Sequence, residues 1–341
     1  MKTCIIGASG YSGQVLVELL TQHPGVDLHT ITSRQYEGKP VGEIIPRLSH
    51  IARNLTFSNP SMEELIELPC EVYFLALPHG AAATFAIPLL NAGKKVIDLS
   101  ADFRLSCPQR YEEFYGSAHP SPEWLARAQY GLPEIHSLSW ETSPIIASPG
   151  CYPTSILIPL TPLLEAGLIQ KEGVIANSIS GVSGAGKTPS ERLLFCERNE
   201  SAGPYGLPKH RHLSEIEEQL SHFAKEDVVI SFLPHLAPMN RGICSTITVY
   251  PQGELSANAV RACWEKYYAD RPFVQVLPKD TQPDVANVVG TNRIDINVTP
   301  DARTGRYLIC SAEDNLLKGA GGQAVQSLNI CMGLCESTGL P

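Results

Sequence analysis

At 341 residues the chain exceeds the usual size of a single core, so two domains are expected. Apolar residues make up 43% and charged residues 18%, with 27 glycines and 27 prolines, which describes a compact protein rich in tight turns and excludes a disordered one. A formal net charge of −9 argues against nucleic acid as a partner, because such binders carry a basic footprint.

The ten cysteines are scattered from Cys4 to Cys335 and the first residues carry no signal-peptide pattern, so reduced thiols in a cytoplasm are expected rather than a disulfide framework. In chain order, "TCIIG", a helical pattern through Leu20, "VDLHTIT", "VYFLAL" and "KKVIDLS" alternate strand-like and helix-like runs. That alternation predicts a parallel, doubly wound sheet. The apolar run 72–93 is broken by Pro78, His79 and Pro88 and reads as a buried strand, a turn and a helix, with no membrane span.

"CIIGASGYSGQVLVELL" places Gly7, Gly10 and Gly13 after a strand and into a helix. Glycines there allow a tight turn and close approach of a pyrophosphate to the helix N-terminus, although the spacing is GxxGxxG and not GxGxxG. Ser9, Tyr11 and Ser12 of the same loop are candidate cofactor contacts, as is Pro78 in "LALPHG". The second strand ends at Ser33 and Arg34, where a site preferring NAD would carry an acidic residue. A hydroxyl and a guanidinium suit a 2′-phosphate, so NADP(H) is expected. "DLSADFRL" sets Arg104 just after a strand, a position from which it can hold a phosphate or a carboxylate.

"SPGCYPTS" fixes the backbone around Cys151, and Pro153 suits the first turn of a helix. A thiol at a helix N-terminus is stabilised as thiolate, the form a nucleophile requires. Pro159 and Pro162 predict that this helix kinks or ends early. The second half reads as β-rich segments "GVIANSISGV", "VVISFLPHL", "ICSTITVYP", "ANVVGTNRIDINVTP" and "RYLICSA", with helices near 213–224 and 256–269: a mixed sheet with helices on one face. "KHRHLSEIEEQL" offers His210 and His212 as acid/base partners of the thiol, before a helix capped by Ser214. In an extended segment the two rings point to opposite faces, so one of them faces the site. With Glu215 the pair suggests a metal, but no four-ligand set at zinc spacing completes it, and no metal is expected. Gly181–Thr188 matches GxxxxGK[ST] by letter, yet a segment opened by Pro189 follows, so the match is read as chance.

"GASGYSG", "LALPHG", "DLSADFR", "YGLPE", "PGCYPTS", "GVSGAGK", "HRHLSEIE", "PHLAPMNRGI" and "DNLLKGAGGQAVQSLN" together resemble the N-acetyl-γ-glutamyl-phosphate reductases, relatives of aspartate-semialdehyde dehydrogenase, over nearly the whole chain. The resemblance implies a Rossmann-type α/β domain over 1–148, completed by a C-terminal helix at about 315–341, and an α+β substrate and oligomerisation domain with a mixed sheet over 149–314. It implies NADPH-dependent reduction of an acyl phosphate to a semialdehyde in arginine biosynthesis, in a cytoplasmic homodimer or homotetramer. Cys151 matches the family's nucleophile and His210 its acid/base, which would protonate the thiohemiacetal oxygen. Arg104, Ser183 and Arg211 match substrate contacts, and Gly321 and Gln323 match the segment near the nicotinamide. Ser148 and Lys187 depart from the asparagine and arginine of many members. An aminoadipyl or aspartyl phosphate as substrate, or a non-catalytic NADP sensor, are the competing expectations.

Overall fold

Short apolar runs become parallel strands throughout the first half of the chain in the computed structural model, which describes residues 1–341. These are β1 (Lys2–Ile6), β2 (Asp27–Thr32), β3 (Phe57–Ser58), β4 (Val72–Leu75), β5 (Lys95–Asp98), β6 (Gln129–Tyr130) and β7 (Ile145–Ala147). They form one sheet in the order β3-β2-β1-β4-β5-β7-β6, every neighbouring pair parallel. Helices cover both faces of such a sheet, so its central strands lose alternation and β4 is buried at every residue. The strand order reverses between β1 and β4, the place where open α/β sheets bind ligands at their carboxyl ends.

Two compact units divide the chain: Met1–Gly150 together with Ala320–Pro341, and Cys151–Gly319. The closing helix Gly322–Cys331 belongs to the first, where the His23 ring bonds Asn329 at 2.8 Å. Helix α1 (Tyr11–Thr21) follows the glycine loop, and α2 (Ala82–Asn91) is the helix expected inside the apolar run 72–93. No helix is long and apolar enough to cross a membrane.

The second unit carries α3 (Cys151–Glu165), β8 (Ile175–Gly181), β9 (Gly203–Pro204), α4 (His212–Ala224), β10 (Ser231–Ala237), β11 (Ile243–Val249), α5 (Ala257–Tyr267), β12 (Val274–Val276), β13 (Ile294–Asp301) and β14 (Arg306–Glu313). Its sheet runs β12-β13-β14-β11-β8-β10-β9, with β8/β10 and β12/β13 parallel and the other pairs antiparallel, the mixed sheet expected. Along β11, Ile243, Ser245, Ile247 and Val249 are buried while Cys244, Thr246 and Thr248 are not, so one face is covered. Helix α3 lies against β11 and β14 and is flanked by α4 and α5.

Four expectations are corrected here. Helix α3 runs through Pro159 and Pro162 without ending. Each proline removes the N–H that would bond the carbonyl four residues earlier. The two freed carbonyls find hydroxyls instead: Ser311 Oγ donates to Ser155 O at 2.7 Å, and Tyr268 OH donates to Ile158 O at 2.6 Å. Ser214 does not cap α4. The helix begins two residues earlier, and Ser214 Oγ donates back to the Arg211 carbonyl at 2.8 Å. "ANVV" is not strand; Asp284 caps a short helix over Val285–Val288, and β13 starts only at Ile294. His210 and His212 do not face opposite ways, because Arg211 between them is helical (φ −55°, ψ −39°) and their rings meet 4.9 Å apart.

The GxxxxGK look-alike leaves β8 at Gly181 into a tight turn over Val182–Ala185 and opens no α-helix, so it lacks the N-terminus that a phosphate loop needs.

Candidate active site

The dinucleotide loop is fixed by sterics within the first unit. Gly7 has φ +92°, and a Cβ there would collide with the Ala76 carbonyl at the end of β4. A Cβ on Gly13 would strike the Gly7 carbonyl and the Ala8 backbone, so this glycine lets α1 press against the turn. Gly10 is different: its nearest neighbour for a Cβ is 3.8 Å away, and the fold itself does not require a glycine there. A bare backbone at such a point serves the close approach of something else.

Helix α1 begins with neither a side-chain cap nor an acidic residue in its first turn, leaving its N–H groups and positive end open to an anion. Behind the loop, Ser9 Oγ and Ser33 Oγ lie 3.0 Å apart. Ser33 is buried, whereas Arg34 is exposed just past β2 and Tyr11 lies exposed at the start of α1. This donor set fits a dinucleotide with an extra phosphate.

Across the strand-order reversal, the loop after β4 holds Pro78 and His79. Asp102 accepts Gly80 N at 2.7 Å and Ala83 N at 3.0 Å, and lies 2.8 Å from His79 Nδ1. Burial alone would raise its carboxyl; the His79 and backbone hydrogen bonds outweigh that and hold it below the usual carboxylate range. Burial, then the neighbouring charge of Asp102, pushes Asp98 up to about 7.

Arg104 is buried in the same unit. Its Nε donates to Ser148 O at 2.8 Å and its Nη2 to Leu99 O at 2.9 Å, so the guanidinium braces the turn leading to Cys151. Gly321 is buried, and Gln323, fully buried, donates to Gly131 O at 3.2 Å while its Oε1 has no protein partner, an acceptor left for a ligand amide.

In the second unit Cys151 is the first residue of α3 and is half-buried. The helix dipole favours its thiolate. Three buried hydroxyls anchor this turn to the sheet: Ser155 Oγ bonds Ser245 Oγ at 2.8 Å, which bonds Ser178 Oγ at 2.7 Å. Gly319 packs against Cys151; a Cβ there would lie 2.8 Å from Cys151 Cβ.

The other thiols contrast with it. Burial raises Cys4, Cys244, Cys263 and Cys310, and carries Cys70 and Cys331 up to about 11, so all six stay protonated. Exposed Cys335 goes the other way, lowered by hydrogen bonds from Ser337.

His210 stands in an aromatic box. Its ring meets Tyr152 at 5.9 Å, Tyr205 at 5.4 Å, Phe232 at 5.5 Å and His212 at 4.9 Å, all edge to face. Tyr205 OH donates to Tyr152 OH at 3.1 Å, and Tyr152 OH to His235 O at 3.2 Å. Burial, followed by the adjacent Arg211 charge, lowers His210 to about 4. Burial raises both phenols, Tyr205 to about 12, and a negative Cys151 adds to each, so the tyrosines stay neutral beside the thiol.

Ser183 Oγ accepts from Asn315 Nδ2 at 3.0 Å, and Arg211 is exposed at the start of α4. Sequence reasoning gave no role to Tyr152, Tyr205 or Arg241, which clamps Asp314 at 2.8–3.1 Å. Tyr152 sits inside "PGCYPTS" and Arg241 inside "PMNRG", so the signal was present. What was missing is the pairing with Tyr205 and Asp314.

Residues 2–142 match the family model described as semialdehyde dehydrogenase, NAD binding domain, and residues 151–315 match the one described as semialdehyde dehydrogenase, dimerisation domain. A curated protein of Akkermansia muciniphila named N-acetyl-gamma-glutamyl-phosphate reductase is 51% identical over 341 residues, covering 100% of this chain and 98% of the relative. A protein of the same name from Moorella thermoacetica is 45% identical over 340 residues, with 100% and 98% covered. Among solved structures, aspartate semialdehyde dehydrogenase II of Vibrio cholerae complexed with ASA aligns with a TM-score of 0.71 at 17% identity, over 97% of this chain and 98% of that one. The aspartate semialdehyde dehydrogenase of Candida albicans with NADP aligns with a TM-score of 0.67 at 16% identity, again over 97% and 98%. These two likenesses show the fold.

Proposed function

The chain belongs to the N-acetyl-γ-glutamyl-phosphate reductase family, and from that premise we propose that it reduces N-acetyl-γ-glutamyl phosphate to N-acetylglutamate semialdehyde with release of phosphate. The observation that carries the reading is Cys151 at the head of α3, close-packed by Gly319 and standing beside the Tyr152–Tyr205–His210 box. The reaction serves arginine biosynthesis in the cytoplasm, and the second unit self-associates.

An acyl phosphate is activated enough for thiolate attack, and a covalent thioester divides a difficult reduction into two easier steps. Cys151 Sγ forms the bond to the γ-carbonyl carbon as the carbon–oxygen bond to phosphate breaks, and the electron pair leaves with the phosphate. The loop Gly7–Gly13, the open end of α1, Ser9, Ser33, Arg34 and Pro78 would hold NADP(H), with Gly321 and Gln323 toward its nicotinamide. That cofactor, when bound, supplies the hydride. Main-chain N–H groups at the start of α3 face the oxygen that gains charge. Arg104 holds the turn that presents the thiol, while Ser183 and Arg211 bind substrate. Collapse of the tetrahedral adduct returns the electron pair to sulfur and frees the aldehyde.

The test is phosphate-dependent NADP⁺ reduction with N-acetylglutamate, aspartate and aminoadipate semialdehydes side by side, for the natural chain and Cys151→Ser. Preference for the first, abolished in the variant, is expected. Full activity in Cys151→Ser overturns the thioester, and preference for either other aldehyde reassigns the substrate.

A further inference from the structure

His210 is the residue from which proton transfer is expected, and its surroundings bear on which nitrogen carries the proton. The backbone N–H of His212 donates to His210 Nδ1 at 3.1 Å. A donor aimed at Nδ1 requires a lone pair there, so the neutral ring carries its hydrogen on Nε2. Protonating Nδ1 would set two N–H groups against each other. The ring cannot readily turn out of this contact. Gly206, at φ +65°, packs so closely that a Cβ would come within 2.9 Å of His210 Cδ2, and Tyr152, Tyr205, His212 and Phe232 close the remaining sides.

Apart from the Cys151 thiolate, the groups facing the ring give an imidazolium no support. From α3 come the neutral phenol of Tyr152 and, one residue earlier, Cys151. From the segment after β9 comes the phenol of Tyr205, from the head of α4 come His212 and the cation Arg211, and from β10 comes Phe232. No hydrogen bond or ion pair joins the His210 ring to a carboxylate. The lowering of His210 to about 4 by burial and by Arg211 has the same sense.

Resting on the proposed thioester chemistry, we infer that His210 works as a neutral hydrogen-bond donor through Nε2–H, stabilising oxygen charge on the acyl group, and passes no proton in the catalytic cycle. The balance of the reaction permits this. With Cys151 as thiolate, one proton is consumed overall, by the phosphate that departs as the carbon–oxygen bond breaks, and solvent supplies it. Gain of a hydride by the thioester leaves an oxyanion on the carbon bound to Sγ. Collapse of that adduct breaks the carbon–sulfur bond and regenerates thiolate and aldehyde, with no proton required on the way. A fixed neutral donor lowers the barrier to both charged adducts without a change of its own state.

The experiment follows the His210 ring nitrogens by NMR in the full-length, ¹⁵N-histidine-labelled protein with NADP⁺ bound, assigned by His210→Gln. Nε2 protonated and Nδ1 unprotonated across about pH 5 to 8, the range in which an ordinary histidine titrates, is the expected result. Either a proton on Nδ1 or an imidazolium in that range overturns the inference. Kinetically, His210→Ala should lose about 100-fold in kcat, the loss typical of one removed oxyanion donor. His210→Gln, which keeps an N–H donor but cannot titrate, should recover at least about tenfold of this and keep the wild-type pH profile of kcat/KM. A glutamine variant as poor as alanine, or one that loses a pH limb present in the natural chain, overturns the donor role. If the natural chain does not reduce acyl phosphates, the proposed function falls, and the resonances still decide the tautomer.

Discussion

In the glycine loop of the first unit, the contacts that fix the backbone lie within one strand–turn–helix and the strand beside it: Gly7 against Ala76, Gly13 against Gly7 and Ala8. In the second unit, Cys151 and His210 are held by Ser178, Tyr205, Ser245, Ser311 and Gly319, drawn from across the sheet. One site is a local solution to a backbone problem; the other exists only once distant side chains meet. The first therefore tolerates change outside its few glycines, and the second is exposed to substitution far from the thiol in sequence.

The sharpest way to break this contrast is Gly319→Ala. Its Cβ must displace Cys151, and a misplacement of about 1 Å costs on the order of 100-fold in kcat, while the overpacking itself lowers stability by about 1–3 kcal/mol. Unfolding curves and turnover measured together decide it; unchanged kcat would show that the thiol is not held by this contact. Next come Tyr268→Phe and Ser311→Ala, each stranding one carbonyl of α3. Each should lower the unfolding free energy in urea by about 1–3 kcal/mol, the cost of a buried unpartnered acceptor. A loss near zero would mean that the proline-broken ladder is satisfied otherwise.

Within the glycine loop the contrast can be sharpened by a pair. Gly7→Ala should lose about 1–2 kcal/mol of stability from its left-handed backbone alone, with the Ala76 collision added. Gly10→Ala should melt like the natural chain but bind NADPH more weakly, read by fluorescence titration. Equal melting losses in both would place Gly10 in the fold rather than the site.

The smallest effect is a slope. His210, lowered to about 4 in the fold, stays neutral while the unfolded chain takes up a proton near the ordinary histidine value of about 6.5. Its contribution is complete above that value and is lost as pH falls toward 4. His119, also lowered, first by burial, adds in the same sense. The denaturation midpoint of His210→Gln should therefore fall less steeply over this window than that of the natural chain; parallel slopes would remove His210 from the balance.

These differences also explain what was legible beforehand. The glycine loop, the parallel sheet and the thiol at a helix start rest on local rules of turns, periodicity and dipoles, and a reader of "GASGYSG" or "SPGCYPTS" meets all the atoms involved. Pro159 and Pro162 were misjudged because the hydroxyls that answer them stand at 311 and 268, more than a hundred residues away. The two histidines were misplaced because one backbone angle at Arg211 turned an extended segment into a helix. Arg104 reads as an anion ligand by residue type, while the carbonyls it braces, Leu99 and Ser148, announce nothing in the sequence.

The donors that complete α3 carry a last consequence, for the order in which the molecule comes into being. A ribosome that has released this helix has yet to make Tyr268 and Ser311, so the Ile158 carbonyl must bond water until about four-fifths of the polypeptide exists and the Ser155 carbonyl until about nine-tenths. Full helical order around the thiol then arrives with the last strand of the sheet, and an incomplete chain carries its cysteine on an unfinished turn.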